Sequence, residues 1–158
     1  MGKKEVKGEA KVSVAVEALW KALAVEHASV LPKAVPNLVK TVDVLEGDGG
    51  LGTILIFLFA PELAWRTAYQ KEKIVEYDEE KREIGLEVIE GGRLDHGFNS
   101  YTTYFKLAAS GEAETLVAIR VEYEKEGEEE EEEASLPSKT IESTLTFLKH
   151  LEEYLLKQ

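Results

Sequence analysis

The segment Glu46-Gly47-Asp48-Gly49-Gly50-Leu51-Gly52-Thr53 separates two apolar stretches of the chain and decides how they pair. Residues 38–46 before it and residues 53–59 after it are rich in Val, Leu, Ile and Phe, which predicts strands. The glycines allow the positive φ angles that tight hairpin turns require. A phosphate-binding loop fits less well, because Gly52 is followed by Thr53 and a strand rather than by Lys and a helix. We therefore expect a β-hairpin at this point.

The rest of the chain predicts mostly strands around this hairpin. Residues 5–14 alternate between charged and apolar side chains, which is typical of a half-buried strand. Helical spacing then begins at Val16, and a second short helical segment from His27 to Leu31 ends near Pro32 and Pro36. Residues 65–107 hold three further strands, and residues 116–123 hold the last one.

A long helix is predicted after Pro137. Its inner stripe, at helical spacing, consists of Ile141, Thr144, Leu145, Leu148, Leu151, Glu152 and Leu155. The predicted fold class is therefore α+β: a curved seven-stranded antiparallel sheet with two short helices and a long C-terminal helix. Such a sheet twists and curls, so a straight helix laid across it leaves an internal cavity unless large side chains fill the gap.

Composition limits the classes of function. The chain has 158 residues, which suits one domain spanning residues 1–158, and a formal net charge of −12. Such an acidic chain without a basic stripe is not expected to bind nucleic acid or anionic membranes. There is no cysteine, no apolar run of membrane-spanning length and no apolar signal segment, so we expect a cytoplasmic protein. The acidic run from Glu128 to Glu133 is interpreted as a solvated loop.

The sequence gives little support for a metal site, a cofactor site or a hydrolytic catalytic triad. The histidines, His27, His96 and His150, lie far apart without ligand spacing, and each is expected on the surface or in the core with its hydrogen bonds satisfied. No Gly-x-Ser-x-Gly segment is present. We therefore expect no metal, no cofactor and no catalytic residue.

The fourth predicted strand carries the sharpest indication of a ligand site. Lys71 and Lys73 share one face, which should meet water. Gln70 and Glu72 then face the helix side, together with Ile74. Buried polar groups cost free energy unless they are hydrogen-bonded, so a polar ligand or trapped water is a natural partner. A frayed strand with both groups in solvent is an equally open interpretation.

Further candidates for the cavity wall lie on other elements: Leu23, Ile56, Tyr101, Thr103, Thr144 and Phe147. Thr144 is on the inner stripe of the long helix, where it either contacts a ligand or bonds back to its own helix carbonyls. Phe147 lies near the edge of that stripe and would close the pocket. Tyr101 and Thr103 share one strand face with Phe105, for which core packing is the simpler interpretation.

The chain resembles a known family over nearly its whole length. The resemblance rests on the glycine-rich segment and on Ala18-Leu19-Trp20, Thr53-Ile54-Leu55-Ile56-Phe57, Tyr69-Gln70, Val88-Ile89-Glu90-Gly91-Gly92 and Pro137-x-Lys139-Thr140-x-x-Ser143-Thr144-Leu145. Together these segments resemble the Bet v 1 / PR-10 proteins, and in particular their plant phytohormone-binding (cytokinin-specific) branch. The resemblance implies non-catalytic binding of a hormone of the cytokinin or gibberellin class in a hydrophobic cavity. It also implies ligand-binding roles for Gln70, Glu72 and Thr144.

The sequence departs from that branch at two places. Phe147 stands where the branch has Tyr, which removes a hydroxyl, and the segment from Pro61 to Gln70 is about two residues longer. The same superfamily contains norcoclaurine synthase, which uses a Tyr, a Glu and a Lys in its cavity. Tyr101 resembles the first, whereas Thr103 and Ala118 stand at the other two positions, so proton-transfer groups are not expected. A cavity enzyme of specialised metabolism is the alternative function, and protein binding through the acidic loop is a third.

Overall fold

A computed structural model describes residues 3–60, 68–92, 94, 97–125 and 136–157. In chain order the elements are β1 (Lys4–Val12), α1 (Val16–Trp20), a π-helical turn (Lys21–Val25), α2 (His27–Ala34), β2 (Val39–Glu46), β3 (Ile54–Phe59), β4 (Tyr69–Asp78), β5 (Glu83–Gly91), β6 (Phe98–Gly111), β7 (Glu114–Lys125) and α3 (Leu136–Leu156). The acidic run from Glu128 to Glu133 and His96 lie outside the described residues, so nothing is said of their structure.

The strands form one antiparallel sheet in the order β1-β7-β6-β5-β4-β3-β2. This confirms the predicted seven-stranded α+β architecture, with sequential strands paired except where β1 closes against β7. The hairpin between β6 and β7 is longer than the hydrophobic pattern indicated. Its ladder continues to Gly111 and Glu114, where the strands are largely exposed, so alternation of apolar and polar residues does not mark their ends.

The glycine-rich segment forms the expected hairpin turn between β2 and β3. Gly47, Gly49 and Gly52 adopt positive φ angles of 102°, 101° and 88°. The backbone N–H of Gly49 donates to Thr53 Oγ1 at 2.8 Å, which closes the turn from inside. These contacts fold the segment onto itself and leave no helix N-terminus behind the glycines, as a phosphate site would need.

The two short helices join through the π-helical turn. The sequence indicated that the helix ends near Pro32, but Pro32 lies inside α2. Proline removes one backbone donor, but the helix continues because Val35 N–H donates to the Leu31 carbonyl at 2.9 Å. The turn Lys21–Val25 widens the backbone just before His27, and such insertions are frequent at functional sites.

The core lies between the sheet and the helices. Leu19, Ile74, Val117 and Leu151 are completely buried. Ser13 N–H donates to Glu152 Oε2 at 2.6 Å and so joins the end of β1 to the last turns of α3. Among the described residues, no helix combines the length and the apolar character needed to cross a membrane.

Candidate ligand-binding site

A cavity of about 230 Å³ lies between the inner face of the sheet and the π-helical turn, α2 and α3. The described residues that line it are Leu23, His27, Leu31, Val39, Leu55, Phe57, Phe59, Gln70, Glu72, Ile84, Leu86, Thr103, Phe105, Thr144 and Phe147. Most of these side chains are apolar, and the few polar groups come from separate elements. Apolar walls with a few placed polar groups are typical of small-molecule sites.

β4 delivers the two central polar groups to the cavity. Gln70 and Glu72 both line it, and Ile74 on the same face is completely buried. On the other face, Lys73 is exposed and Lys71 forms an ion pair with Glu90 at 3.2 Å. β4 pairs with β3 on one side and β5 on the other, so the strand is not frayed at these residues.

The carboxyl of Glu72 is held away from bulk solvent. Burial raises the pKa of Glu72 from its ordinary value near 4.5 to about 7, and the hydrogen bond from Gln70 opposes that rise. The side chain keeps some accessible surface, and Glu72 lines the cavity, so this surface faces the hollow rather than the outside. At neutral pH the group therefore exists as both the acid and the carboxylate.

A glycine leaves room for the side chain of Gln70. Gly92 has a φ of 53°, and a β-carbon at this position would overlap Gln70 Oε1 and lie 2.7 Å from Cδ. The carbonyl end of the Gln70 amide therefore packs against the backbone of Gly92. Its NH₂ end remains to donate to Glu72, which agrees with the direction in which Gln70 shifts the pKa of Glu72.

The remaining sequence candidates divide into two groups. Leu23, Thr103, Thr144 and Phe147 line the cavity together with Gln70 and Glu72. Ile56 and Tyr101 are not among the lining residues that the structure describes, which corrects the expectation for both.

The two corrections have different causes. Ile56 lies opposite Lys71 in the β3–β4 ladder, whereas Leu55 lies opposite Glu72, so Ile56 is on the other face of the sheet. Tyr101 does face inward but packs edge-on against Phe98, with ring centroids 5.4 Å apart, in the aromatic part of the core.

His27 corrects a further expectation. It is 5% exposed, lies at the start of α2 and lines the cavity. Neither ring nitrogen has a hydrogen-bond partner within the described part of the chain, so it is not a satisfied core histidine. Burial lowers the pKa of His27, and the Ala24 carbonyl raises it to a smaller extent. The geometry between the ring and this carbonyl does not amount to a hydrogen bond. The ring is therefore neutral at pH 7.

The sequence comparison with the superfamily's enzymes also needs correction at one position. Ala118 is exposed, whereas its neighbours Val117 and Ile119 are buried. A side chain at position 118 therefore points away from the cavity, and the residue there says nothing about proton transfer inside it. Among the described residues, no group of three or more His, Asp or Glu side chains is placed to hold a metal ion.

The whole chain, residues 1–158, matches the model of the pathogenesis-related protein Bet v 1 family. The chain belongs to the Bet v 1 family. Bet v 1 proteins have a ligand-binding fold, and the curved sheet, long C-terminal helix and internal cavity described above are its parts.

Relatives within the Bet v 1 family carry different names. Norbelladine synthase of Narcissus pseudonarcissus is 34% identical over 116 residues, which are 73% of this chain and 71% of that protein. Pathogenesis-related protein 1 of Asparagus officinalis is 32% identical over 149 residues, or 94% and 90% of the two chains. Norcoclaurine synthase of Thalictrum flavum, solved with dopamine and hydroxybenzaldehyde, aligns with a TM-score of 0.76 at 24% identity over 99% of this chain and 88% of that one. The family therefore includes enzymes and pathogenesis-related proteins.

Sequence reasoning missed several wall residues. Leu55, Phe57 and Phe59 line the cavity from β3. Both faces of β3 are apolar, so the sequence shows no alternation of polar and apolar residues that would identify the inner face. Leu55 and Phe57 are identified by their register opposite Glu72 and Gln70, and Phe59 follows on the same face of β3, which only the folded sheet shows. His27 carries no recognisable signal in the sequence, because its importance depends on groups brought near it by folding.

Proposed function

We propose that this protein binds and carries a small plant hormone in its internal cavity without transforming it, with cytokinins as the preferred class. The observation that carries the proposal is the pair Gln70–Glu72, which faces an apolar cavity from the first half of β4. Glu72 accepts a hydrogen bond from a ligand N–H group, and Gln70 orients and supports the carboxylate. Thr103 and Thr144 add hydroxyl groups around the same space.

The size of the cavity favours cytokinins over gibberellins. Its volume of about 230 Å³ lies below the roughly 300 Å³ at which pockets for drug-sized ligands begin. A flat adenine with a short side chain fits that volume better than a rigid tetracyclic diterpene does. The adenine also offers N–H groups for Glu72, which a gibberellin lacks.

The acidic, cysteine-free chain supports a cytoplasmic location for this carrier, with no nucleic acid or membrane partner. Binding needs no metal or cofactor in this proposal. An apolar ligand with one strong polar contact reaches micromolar affinity, on the order of −8 kcal/mol.

Calorimetric titration with a cytokinin tests the proposal. Glu72→Ala should weaken binding about tenfold or more, because the ligand N–H loses its acceptor in a largely apolar cavity. The melting temperature should stay the same or rise, since a buried carboxyl has been removed. Glu87→Gln on β5, outside the described cavity wall, is the matched control and should bind as the unaltered protein does. Equal affinity for the unaltered protein and Glu72→Ala would reject the role of Glu72.

A second candidate function is a synthase reaction in the same cavity. It is favoured by the pKa of about 7 at Glu72, because a carboxyl that is half-protonated at neutral pH suits general acid–base catalysis. The name of the Narcissus relative supports the same direction.

Mass spectrometry separates the two candidates. We would incubate the protein with dopamine and hydroxybenzaldehyde, the pair bound in the Thalictrum structure, and separately with a cytokinin. The carrier proposal predicts that the protein forms no more product than the same compounds form without it. A condensation product that disappears in Glu72→Gln would instead establish the enzyme.

A further inference from the structure

The cavity contains a polar residue that the proposed function does not yet use. His27 enters it from the first turn of α2, next to Leu23 of the π-helical turn, whereas Gln70 and Glu72 enter from β4. His27 is 5% exposed, and both of its ring nitrogens are buried. Both of its ring nitrogens lack a hydrogen-bond partner within the described residues.

A buried imidazole without partners is unfavourable by itself. Burying a polar group without a hydrogen bond costs about 1–3 kcal/mol. Within the described part of the chain the ring makes no hydrogen bond, and the Ala24 carbonyl is the backbone group that opposes the fall in its pKa. Leu23 and Leu31 line the cavity on the helix side and Val39 lines it from β2, and all three are apolar, whereas Thr144 of α3 adds one hydroxyl group to the wall. A ligand in the cavity is therefore the group placed to satisfy His27.

We propose that His27 is a second polar contact for the ligand and binds a hydroxyl group from the helix side of the cavity. This inference rests on the proposed carrier function, in which Glu72 and Gln70 hold an N–H group of the same ligand from the sheet. The preferred ligand then has a planar N–H-bearing ring and a separate hydroxyl group.

The chemistry of a neutral imidazole selects a hydroxyl. In a neutral imidazole one ring nitrogen donates a hydrogen bond and the other accepts one. A hydroxyl group can accept from the first or donate to the second, so it can bind either tautomer. A carboxylate would require a protonated ring, which burial opposes. An ammonium group would have to leave water for a wall that is largely apolar, which costs much more.

Two ligands that differ by one hydroxyl test this role. trans-Zeatin carries a terminal hydroxyl on its side chain, and N6-isopentenyladenine lacks it. Calorimetry on the unaltered protein should show about two- to tenfold tighter binding of trans-zeatin, the value of one hydrogen bond. His27→Leu should abolish that preference while leaving the affinity for isopentenyladenine unchanged or improved. His27→Gln, which keeps a donor and an acceptor, should recover part of the preference.

His150→Leu is the control, because His150 is an exposed histidine on α3. It should behave as the unaltered protein does with both ligands. The role of His27 is overturned if the protein binds both ligands and either shows no preference or keeps its preference in His27→Leu. If neither ligand binds, the cytokinin-carrier proposal itself fails, which is a different result.

Nuclear magnetic resonance gives a second readout that a purely structural role would not move. Long-range ¹H–¹⁵N spectra report the hydrogen bonding of each imidazole nitrogen, and His27→Gln assigns the His27 signals by their loss. trans-Zeatin should shift the ring nitrogens of His27, and isopentenyladenine should shift them much less. Equal shifts with both ligands would mean that water, not the ligand hydroxyl, satisfies the ring, and would overturn the inference.

Discussion

Gln70 and Gly92 are in such close contact that no side chain fits between them. A β-carbon on Gly92 would overlap Gln70 Oε1 and lie 2.9 Å from Cγ. Gly92 follows the end of β5, and Gly91 beside it pairs with Gln70 in the sheet. The absence of a β-carbon at position 92 thus leaves room for the Gln70 amide in the position from which it bonds to Glu72.

Gly92→Ala should therefore weaken ligand binding even though position 92 is not among the described residues of the cavity wall. The methyl group displaces the Gln70 amide, and Glu72 loses the donor that stabilises its charged form. We expect a loss of affinity of several-fold in calorimetry. Stability should also fall by about 1–2 kcal/mol, because a φ of 53° disfavours any residue with a β-carbon.

Gly52→Ala is the control for that experiment. Gly52 also has a positive φ, 88°, but a β-carbon there meets nothing within 4 Å. It should lose stability to a similar extent and retain full affinity. Equal losses of affinity in the two variants would show that backbone strain, and not the position of Gln70, is responsible.

Glu72 should make the protein less stable as the pH rises. Its pKa in the folded protein, about 7, is above its ordinary value near 4.5, so the folded state binds the proton more tightly. The stability present below pH 4.5 is therefore lost as the pH rises to 7, by up to roughly 3 kcal/mol. Thermal denaturation of Glu72→Gln should lack this loss, so the variant should be more stable than the unaltered protein at pH 8. Parallel pH profiles for the two proteins would contradict the raised pKa.

His27 should produce the opposite trend. Burial lowers its pKa, so the folded protein favours the neutral ring, and stability is lost as the pH falls below the ordinary value of 6.5. The difference in melting temperature between His27→Leu and the unaltered protein should therefore grow from pH 8 to pH 5 in favour of the variant. His150→Leu measures the contribution of an exposed histidine. A difference that does not change with pH would show that His27 is protonated as easily in the folded state as in the unfolded state.

Phe147→Ala should change the size of ligand that the cavity accepts. Phe147 is half-buried and lines the cavity from α3, so its removal adds space next to Thr144. We expect the variant to gain affinity for a tetracyclic gibberellin and to lose affinity for a cytokinin in a fluorescence-displacement assay.

Leu148→Ala is the control, because Leu148 is 1% exposed in the core and not among the described wall residues. It should cost about 2–5 kcal/mol of stability without a change of ligand preference. Unchanged preference in Phe147→Ala would mean that this side chain does not limit the ligand.

Strand alternation made part of the site predictable. Lys71 and Lys73 mark the wet face of β4, and because side chains alternate, Gln70 and Glu72 had to face inward. The same reasoning placed Thr103 on an inner face, where the structure has it on the cavity wall. Alternation was insufficient for Tyr101. It predicts that the side chain points inward, but not whether the side chain lines the cavity or packs against another core residue, as Tyr101 does against Phe98.

By itself, the sequence determined the order of strands and helices, the hairpin at the glycine-rich segment and the inner face of β4, because turns and alternation are local properties of the chain. Only the tertiary structure decided that Ile56 lies on the face of Lys71, that Gly92 leaves room for Gln70, and that His27 is buried without a hydrogen-bond partner among the described residues. The physical reason is that register, burial and hydrogen bonding depend on atoms from segments distant in sequence. The pKa of Glu72 belongs to the same class, since it is set mainly by the protein that surrounds the carboxyl.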